Sequence, residues 1–337
     1  MRKKHMLSFA ILLGMLVLFL AGCGEKSKED VVKKLDSQVS GLKGYKSKAE
    51  MKMNTGESPQ KYDLDVWYKE KEHYRVSLAN VDDEKGNQII LKNADGVFVV
   101  TPALNKSFKF QSDWPESSSQ PYLYQSLVQD VKKDKDAEFK TTEKHYIFIT
   151  KTNYQSNSNL PYQEIRFNKK NFTPELVRVL DKDKKALVEV SFSEFKLDPS
   201  FKAEDFALDQ QKKSGSSAKT ASAEVKTLSV AYPVETSGAA LSEKKEIELE
   251  NGKRVILTYS GDKEFTLVQE NAGAVSAMTE PKELKGDIVN LGHTLAALNG
   301  STIEWSQGGV DYKLASDALT KEELINVAKS VHGTNSK

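Results

Sequence analysis

From Tyr45 to Leu197 the chain switches repeatedly between apolar and polar residues with a period of two. Ala49, Met51 and Met53 alternate with Lys48, Glu50 and Lys52. Tyr62, Leu64, Val66 and Tyr68 alternate with Lys61, Asp63, Asp65 and Lys69, and Tyr74, Val76 and Leu78 continue the series. Successive side chains of a strand point to opposite faces, so each run is a strand with one apolar and one wet face, as in antiparallel sheets. Further strands are predicted at Ile89–Leu91, Val97–Val100, Phe108–Phe110, Tyr146–Ile149, Ile165–Phe167, Leu176–Leu180 and Leu187–Leu197. Asn93-Ala94-Asp95-Gly96 and Asp181-Lys182-Asp183-Lys184 serve as turns between them. About ten short strands joined in sequence by tight turns predict an α+β unit built on a meander that curls.

Two segments break the period. Val31, Val32, Leu35, Val39 and Leu42 recur at helical spacing ahead of the first strand. A second helix is expected over Pro121–Val131, with Leu123, Leu127 and Val131 on one face and Pro121 at its first position. Gln210 to Glu224 contains no large apolar residue and reads as a linker. Beyond it, alternating runs flank Asn251-Gly252 and Asn299-Gly300, dipeptides suited to hairpins. The chain closes on a helix whose start carries Thr320 as N-cap, Glu323 as its reciprocal partner, and Leu319 and Leu324 as a hydrophobic staple. The expected division is a half-barrel over 28–208, a linker over 209–225 and a small β-rich domain closed by one helix over 226–337.

The N-terminus addresses the chain. Arg2, Lys3 and Lys4 precede an apolar run from Met6 to Leu20 that ends at Leu20-Ala21-Gly22-Cys23, a secretory signal over residues 1–22. The last four residues resemble the lipobox of bacterial lipoproteins. The resemblance implies a diacylglyceryl group on Cys23, cleavage before it, a tether over 23–27 and a protein held on the outer face of a membrane. Two acyl chains hold stably where one does not. Cys23 is the sole cysteine, so no structural disulfide can form. Loss of Arg2, Lys3 and Lys4 turns 49 basic against 48 acidic side chains into 46 against 48, a balance without the basic excess of a nucleic-acid binder.

No reactive constellation stands out. The chain lacks His-Glu-x-x-His, Gly-x-Ser-x-Gly, a phosphate loop and Cys-x-x-Cys. His73, His145, His293 and His332 are far apart, without metal-ligand spacing. Asp63 and Asp65 share a strand face with lysines beside them and read as solvated. Asp82-Asp83-Glu84-Lys85-Gly86-Asn87 lacks the distal Glu of a calcium loop and reads as a hairpin turn. These features argue against an enzyme and against any metal or cofactor beyond the covalent lipid.

The large apolar residues of the alternating runs are the better candidates. Met51, Met53, Leu64, Tyr68, Tyr74, Phe98, Phe108, Phe110, Phe148, Phe167 and Phe192, with Tyr62, are expected on the inner face of the curled sheet. A partly closed sheet leaves a concave apolar surface. Lined by adaptable Met and aromatic residues, it is either a groove for an acyl chain or, plugged by the helices, an ordinary core.

The leading helix, the meander carrying Gly96–Pro102 (Gly-Val-Phe-Val-Val-Thr-Pro), the hairpin into Lys106–Phe110 and the closing Phe201–Phe206 segment resemble the lipoprotein-carrier (LolA-like) family. That resemblance covers about Lys28 to Leu208 and implies an incomplete barrel capped by helices around a lipid cavity. Ile303-Glu304-Trp305, Gly308–Tyr312 and the Thr320 helix resemble an uncharacterised domain placed C-terminally in Gram-positive lipoproteins, and the whole chain resembles a sporulation lipoprotein. A carrier must leave its membrane, whereas a chain acylated at Cys23 stays. Two functions follow as expectations: a tethered lipid- or lipopeptide-binding module of the spore envelope, or a scaffold for another exported protein. In the second, Trp67 or Trp114 would face outward.

Overall fold

A computed structural model describes residues 25–54, 59–81, 87–114, 118–154, 159–213, 228–250, 252–271, 273 and 280–332. The signal segment, Cys23, the Asp82–Gly86 run, Ser214–Glu224 and Asn251 lie outside the described residues.

Helix α1 (Lys28–Gly41) begins where the Ser27 side chain accepts a hydrogen bond from the Asp30 backbone N–H, satisfying one of the free donors of the first turn. Its buried residues are Val31 and Leu35. A meander follows: β1 (Gly44–Met53), β2 (Gln60–Lys69), β3 (His73–Asn80), β4 (Gln88–Asn93), β5 (Gly96–Thr101) and β6 (Lys106–Phe110). Helix α2 (Tyr124–Lys133) then precedes β7 (Glu138–Thr141), β8 (His145–Lys151), β9 (Tyr162–Asn168), β10 (Pro174–Leu180) and β11 (Ala186–Leu197). β11 closes the series by pairing antiparallel with β1, so the sheet runs β6-β5-β4-β3-β2-β1-β11-β10-β9-β8-β7. It does not close into a barrel: among the described residues β7 pairs with β8 alone and remains an edge. The alternating pattern thus yields eleven strands, and Asp181–Lys184 makes the expected turn, with the Lys184 N–H donating to the Asp181 carbonyl at 3.0 Å.

Three expectations are corrected. Pro121 lies in a turn outside α2, which starts at Tyr124. Gln210–Lys213 is not linker but part of a short helix, α3 (Leu208–Lys213). With Phe201 and Phe206, Leu208 covers the convex face of the sheet at Ile89, Leu91, Phe98 and Val100.

The third concerns the edge of the large sheet. The C-terminal region contains β12 (Tyr232–Pro233), β13 (Ala240–Leu249), β14 (Gly252–Ser260), β15 (Phe265–Asn271), β16 (Lys282–Leu284), β17 (Asp287–Asn290), β18 (Leu295–Asn299), β19 (Thr302–Gln307), β20 (Val310–Ala315), helix α4 (Lys321–Lys329) and β21 (Val331–His332). Seven of these strands form a second sheet, β13-β14-β15-β20-β19-β18-β17. β16 leaves it and adds parallel to β6, as the twelfth strand of the first sheet. Gly286 turns the chain between the two sheets with φ of 116°, a backbone angle at which a side chain is strained.

β17 and β18 divide their residues between two cores. Ile288, Leu295 and Ala297 join the core of the first sheet; Val289, Ala296 and Leu298 join that of the second, together with Leu324, Val327 and Ala328 of α4. Both faces of this hairpin are covered, which is why Ile288–Leu298 lacks the polar alternation of the meander. α4 starts as expected: Thr320 and Glu323 form a reciprocal cap, and Leu319 packs against the cluster containing Leu324.

Candidate functional site

Curling directs one face of the meander toward α1 and α2. Met51, Met53, Tyr62, Leu64, Tyr74, Phe108, Phe110, Phe148 and Phe167 come together there in one cluster, with Tyr68 and Phe192 partly buried against it. Phe98 does not join them. β5 is buried on both faces, and its inner positions are Val97 and Val99, opposite Phe110 and Phe108. Phe98 stands opposite Leu91 and points to the convex side under Phe206. A strand covered on both sides gives no polar residue to set the phase of the alternation, and size alone favoured Phe98.

The inner cluster is filled by the chain itself. Val31 and Leu35 of α1, Leu127, Val128 and Val131 of α2, and Leu284, Ile288, Leu295 and Ala297 from the C-terminal region complete it. Met51, Phe148 and Phe167 have no exposed surface, and Tyr74, the most exposed of the fully clustered candidates, retains 8%. Aromatic rings set its layers. Tyr45 stacks on Phe195 with centroids 5.0 Å apart, and Tyr124 meets Phe195 edge-on at 5.5 Å. The Tyr45 hydroxyl accepts from the Tyr124 N–H at 3.2 Å, and the Tyr124 hydroxyl donates to the Phe172 carbonyl at 2.7 Å. Burial raises both phenols well above their usual range, so they remain neutral.

Between α1 and α2 the surface opens into a cleft of about 490 Å³ lined by Asp36, Val39, Gln125, Val128, Gln129, Lys132, Lys133 and Lys135. Val39 and Val128 supply its apolar surface, and lysines rim it. Lys132 pairs with Asp36 at 2.8 Å across the helix pair. The Lys28 ammonium donates to the Lys135 and Ala137 carbonyls at 2.8 and 2.7 Å, holding the start of α1 against the end of α2.

A buried polar group beside this core is absent from the sequence reading. Asp130 of α2 is 4% exposed, and one of its oxygens accepts from both the Ser119 hydroxyl and the Gln163 amide at 2.7 Å. Burial pushes its carboxyl up to about 6, against the pull of those two donors. The signal was present: Asp130 is three residues from Leu127 and adjoins Val131 on the apolar stripe of α2.

The remaining candidates fall elsewhere. Trp114 is buried and stacks on Tyr74 at 5.5 Å, so it does not face outward. Trp67 sits half-buried on the convex face, with Lys46 at 3.7 Å and Arg75 at 4.6 Å from its ring. Its indole N–H donates to Asp65, which also pairs with Arg75 at 3.2 Å. His73 packs edge-on against Phe206, and His145 contacts Glu175. Among the described residues no group of three or more His, Cys, Asp or Glu side chains is placed to hold a metal, and no helix is long and apolar enough to cross a membrane.

Residues 3–206 match the family model described as sporulation protein YdcC-like. Over 341 aligned residues, 99% of this chain and all of the other, it is 47% identical to sporulation protein YdcC of Bacillus subtilis (strain 168). The chain belongs to the YdcC-like sporulation protein family. Among solved structures, the YdcC-like chain is similar to the MucA/MucB complex of Pseudomonas aeruginosa, with 12% identity over 91% of this chain and 100% of that one and a TM-score of 0.35. It is also similar to a LolA superfamily protein of Nitrosomonas europaea, with 10% identity over 55% of this chain and 100% of that one and a TM-score of 0.31. Neither superposition is close enough to carry a ligand or a partner across.

Proposed function

We propose that this YdcC-like chain is a lipoprotein, anchored through Cys23 on the outer face of the cell or forespore membrane, that serves sporulation as a non-catalytic scaffold for another exported protein. The observation that carries this reading is the filled concave face. A carrier needs an inner surface its cargo can occupy, yet Met51, Phe148 and Phe167 are sealed by α1, α2 and the β17–β18 hairpin. Opening that core to admit an acyl chain would expose apolar area at about 25 cal/mol per Å² before any ligand contact formed. Membership of a sporulation family supports the setting.

The lysine-rimmed cleft between α1 and α2 favours a second reading, in which an anionic amphiphile lays its chain on Val39 and Val128 with its headgroup toward Lys132, Lys133 or Lys135. One preparation separates the two. The chain from residue 23, carrying Cys23→Ser, is purified without detergent and extracted for lipid, and the native protein is weighed by mass spectrometry. The scaffold reading expects an empty protein and no shift in melting temperature with added lipid. Stoichiometric lipid, lost on Val128→Asp, would overturn it in favour of the cleft. For the anchor, metabolic labelling with a fatty-acid analogue is expected to tag the wild type and leave Cys23→Ser unlabelled.

A further inference from the structure

β13 is the terminal strand of the second sheet and unlike the other sheet ends. It is ten residues long, and Ala240 through Glu246 are exposed on both faces. The other sheet ends are short: β7 has four residues, β16 three and β17 four. Among the described residues β13 pairs only with β14, so its outer row of N–H and C=O groups faces solvent. An edge of this kind is a template for another strand.

Apolar surface collects at the same place. Tyr232 (37%), Val234 (59%) and Leu241 (45%) are three of the four large apolar side chains exposed among the described residues. The segment containing Tyr232 and Val234 leads directly into β13 through a turn in which the Ala239 N–H donates to the Thr236 carbonyl. Tyr232 lies beside Lys244. Leu241 stands opposite Tyr259 in the ladder, and Tyr259 in turn lies close to Tyr232. Isolated exposed apolar residues are ordinary, but three beside a free edge mark a contact surface.

The charges of the strand select the occupant. Glu243-Lys244-Lys245-Glu246 reads the same in both directions. We infer that β13 pairs antiparallel with β13 of a second copy of this chain, joining two seven-stranded sheets across a two-fold axis. A pairing centred on Lys245 sets Lys244 of each copy opposite Glu246 of the other; one centred on Lys244 sets Glu243 opposite Lys245. Either register forms two cross-chain ion pairs and sets one lysine, Lys245 or Lys244, opposite its own copy, so two attractive contacts stand against one repulsive contact between long side chains that can splay apart. A strand of unrelated charge meets like charges instead: Lys244 and Glu246, which pair with each other at 2.8 Å, are exposed on the face of the sheet that carries Leu257 and Val255. These charges and the bulge between Leu241 and Glu243 protect the edge from indiscriminate pairing while leaving a charge-matched copy acceptable.

Sedimentation equilibrium on the chain from residue 23 with Cys23→Ser tests this independently of the tether, over a concentration series. The wild-type edge is expected to give an average mass that rises toward a doubling. The pair Lys244→Glu/Lys245→Glu and the pair Glu243→Lys/Glu246→Lys each make the edge single-signed, and each variant alone is expected to stay at the mass of one chain with its melting temperature little changed. An equimolar mixture of the two variants is expected to recover the doubled mass. A wild type that remains monomeric throughout, or a dimer that persists in both variants separately, overturns the proposal.

Discussion

At the scale of single residues, Asp130 sets a testable pH dependence. Its native carboxyl titrates at about 6, while an unfolded aspartate titrates near 3.9. Between those values the native state keeps a proton that the unfolded chain has lost, so this group's stabilisation is full in acid and is lost as pH rises through 6. Two units of separation correspond to a cost of roughly 2–3 kcal/mol at neutral pH. Both donors, Ser119 and Gln163, approach one oxygen, and an amide oxygen can take its place. Asp130→Asn is therefore expected to melt higher than wild type at pH 7.5, with the gap closing as pH falls toward 4. A gap independent of pH between those limits would show that Asp130 is not the group responsible. The comparison between the two proteins isolates this term, since Glu246 and Glu323 are held low, at about 2, and destabilise in acid.

At the scale of elements, legibility followed exposure. Strands with one wet face announced themselves, and β1, β2 and β3 take the phase their sequences predict. The turn at Asp181–Lys184 and the cap at Thr320 were legible because each rests on short-range chemistry. What failed was either buried on both sides or dependent on distant chain. β5 offered no polar residue to fix which face Phe98 takes. β16 has three residues, two of them charged, and owes its strand form to β6, about 170 positions away. Gly286 lies at that junction, where an added Cβ would come within 2.2 Å of the Leu298 carbonyl oxygen. Backbone cannot yield as a flexible side chain does, and φ of 116° adds strain for any L side chain. Gly286→Ala is expected to cost about 2 kcal/mol or more. Gly300→Ala, with φ of 61° and nothing near its Cβ, should cost less. Urea unfolding of the two variants makes the comparison.

At the scale of the whole molecule, the sequence suggested two separate bodies joined by a polar linker, but the chain returns after that segment to contribute to the first sheet and its core. Leu284, Ile288, Leu295 and Ala297 pack among the meander's side chains, Gln88 donates to the Ser306 carbonyl at 2.7 Å, and Tyr62 stacks on His293 at 6.1 Å. Lys106 pairs with Asp311, and Lys329 of α4 sits over the Tyr154 ring at 5.1 Å. Links of this kind couple the two sheets, because truncating a shared core residue leaves a cavity that neither side can fill alone. Ile288→Ala is then expected to cost about 2–5 kcal/mol and to lower the melting temperature of both regions together. Trp67 and Trp114 lie in the first region and Trp305 in the second core, so a Trp305→Phe background reports on the first region and a Trp67→Phe/Trp114→Phe background on the second. Coincident transitions in the two backgrounds, moving by the same amount on Ile288→Ala, would mark one cooperative unit. Two transitions, only one of which responds, would mean that the C-terminal region is an independent domain resting against the first. The first outcome also bears on the filled concave face, since a core that opens only when the entire molecule unfolds cannot open to load and release a cargo.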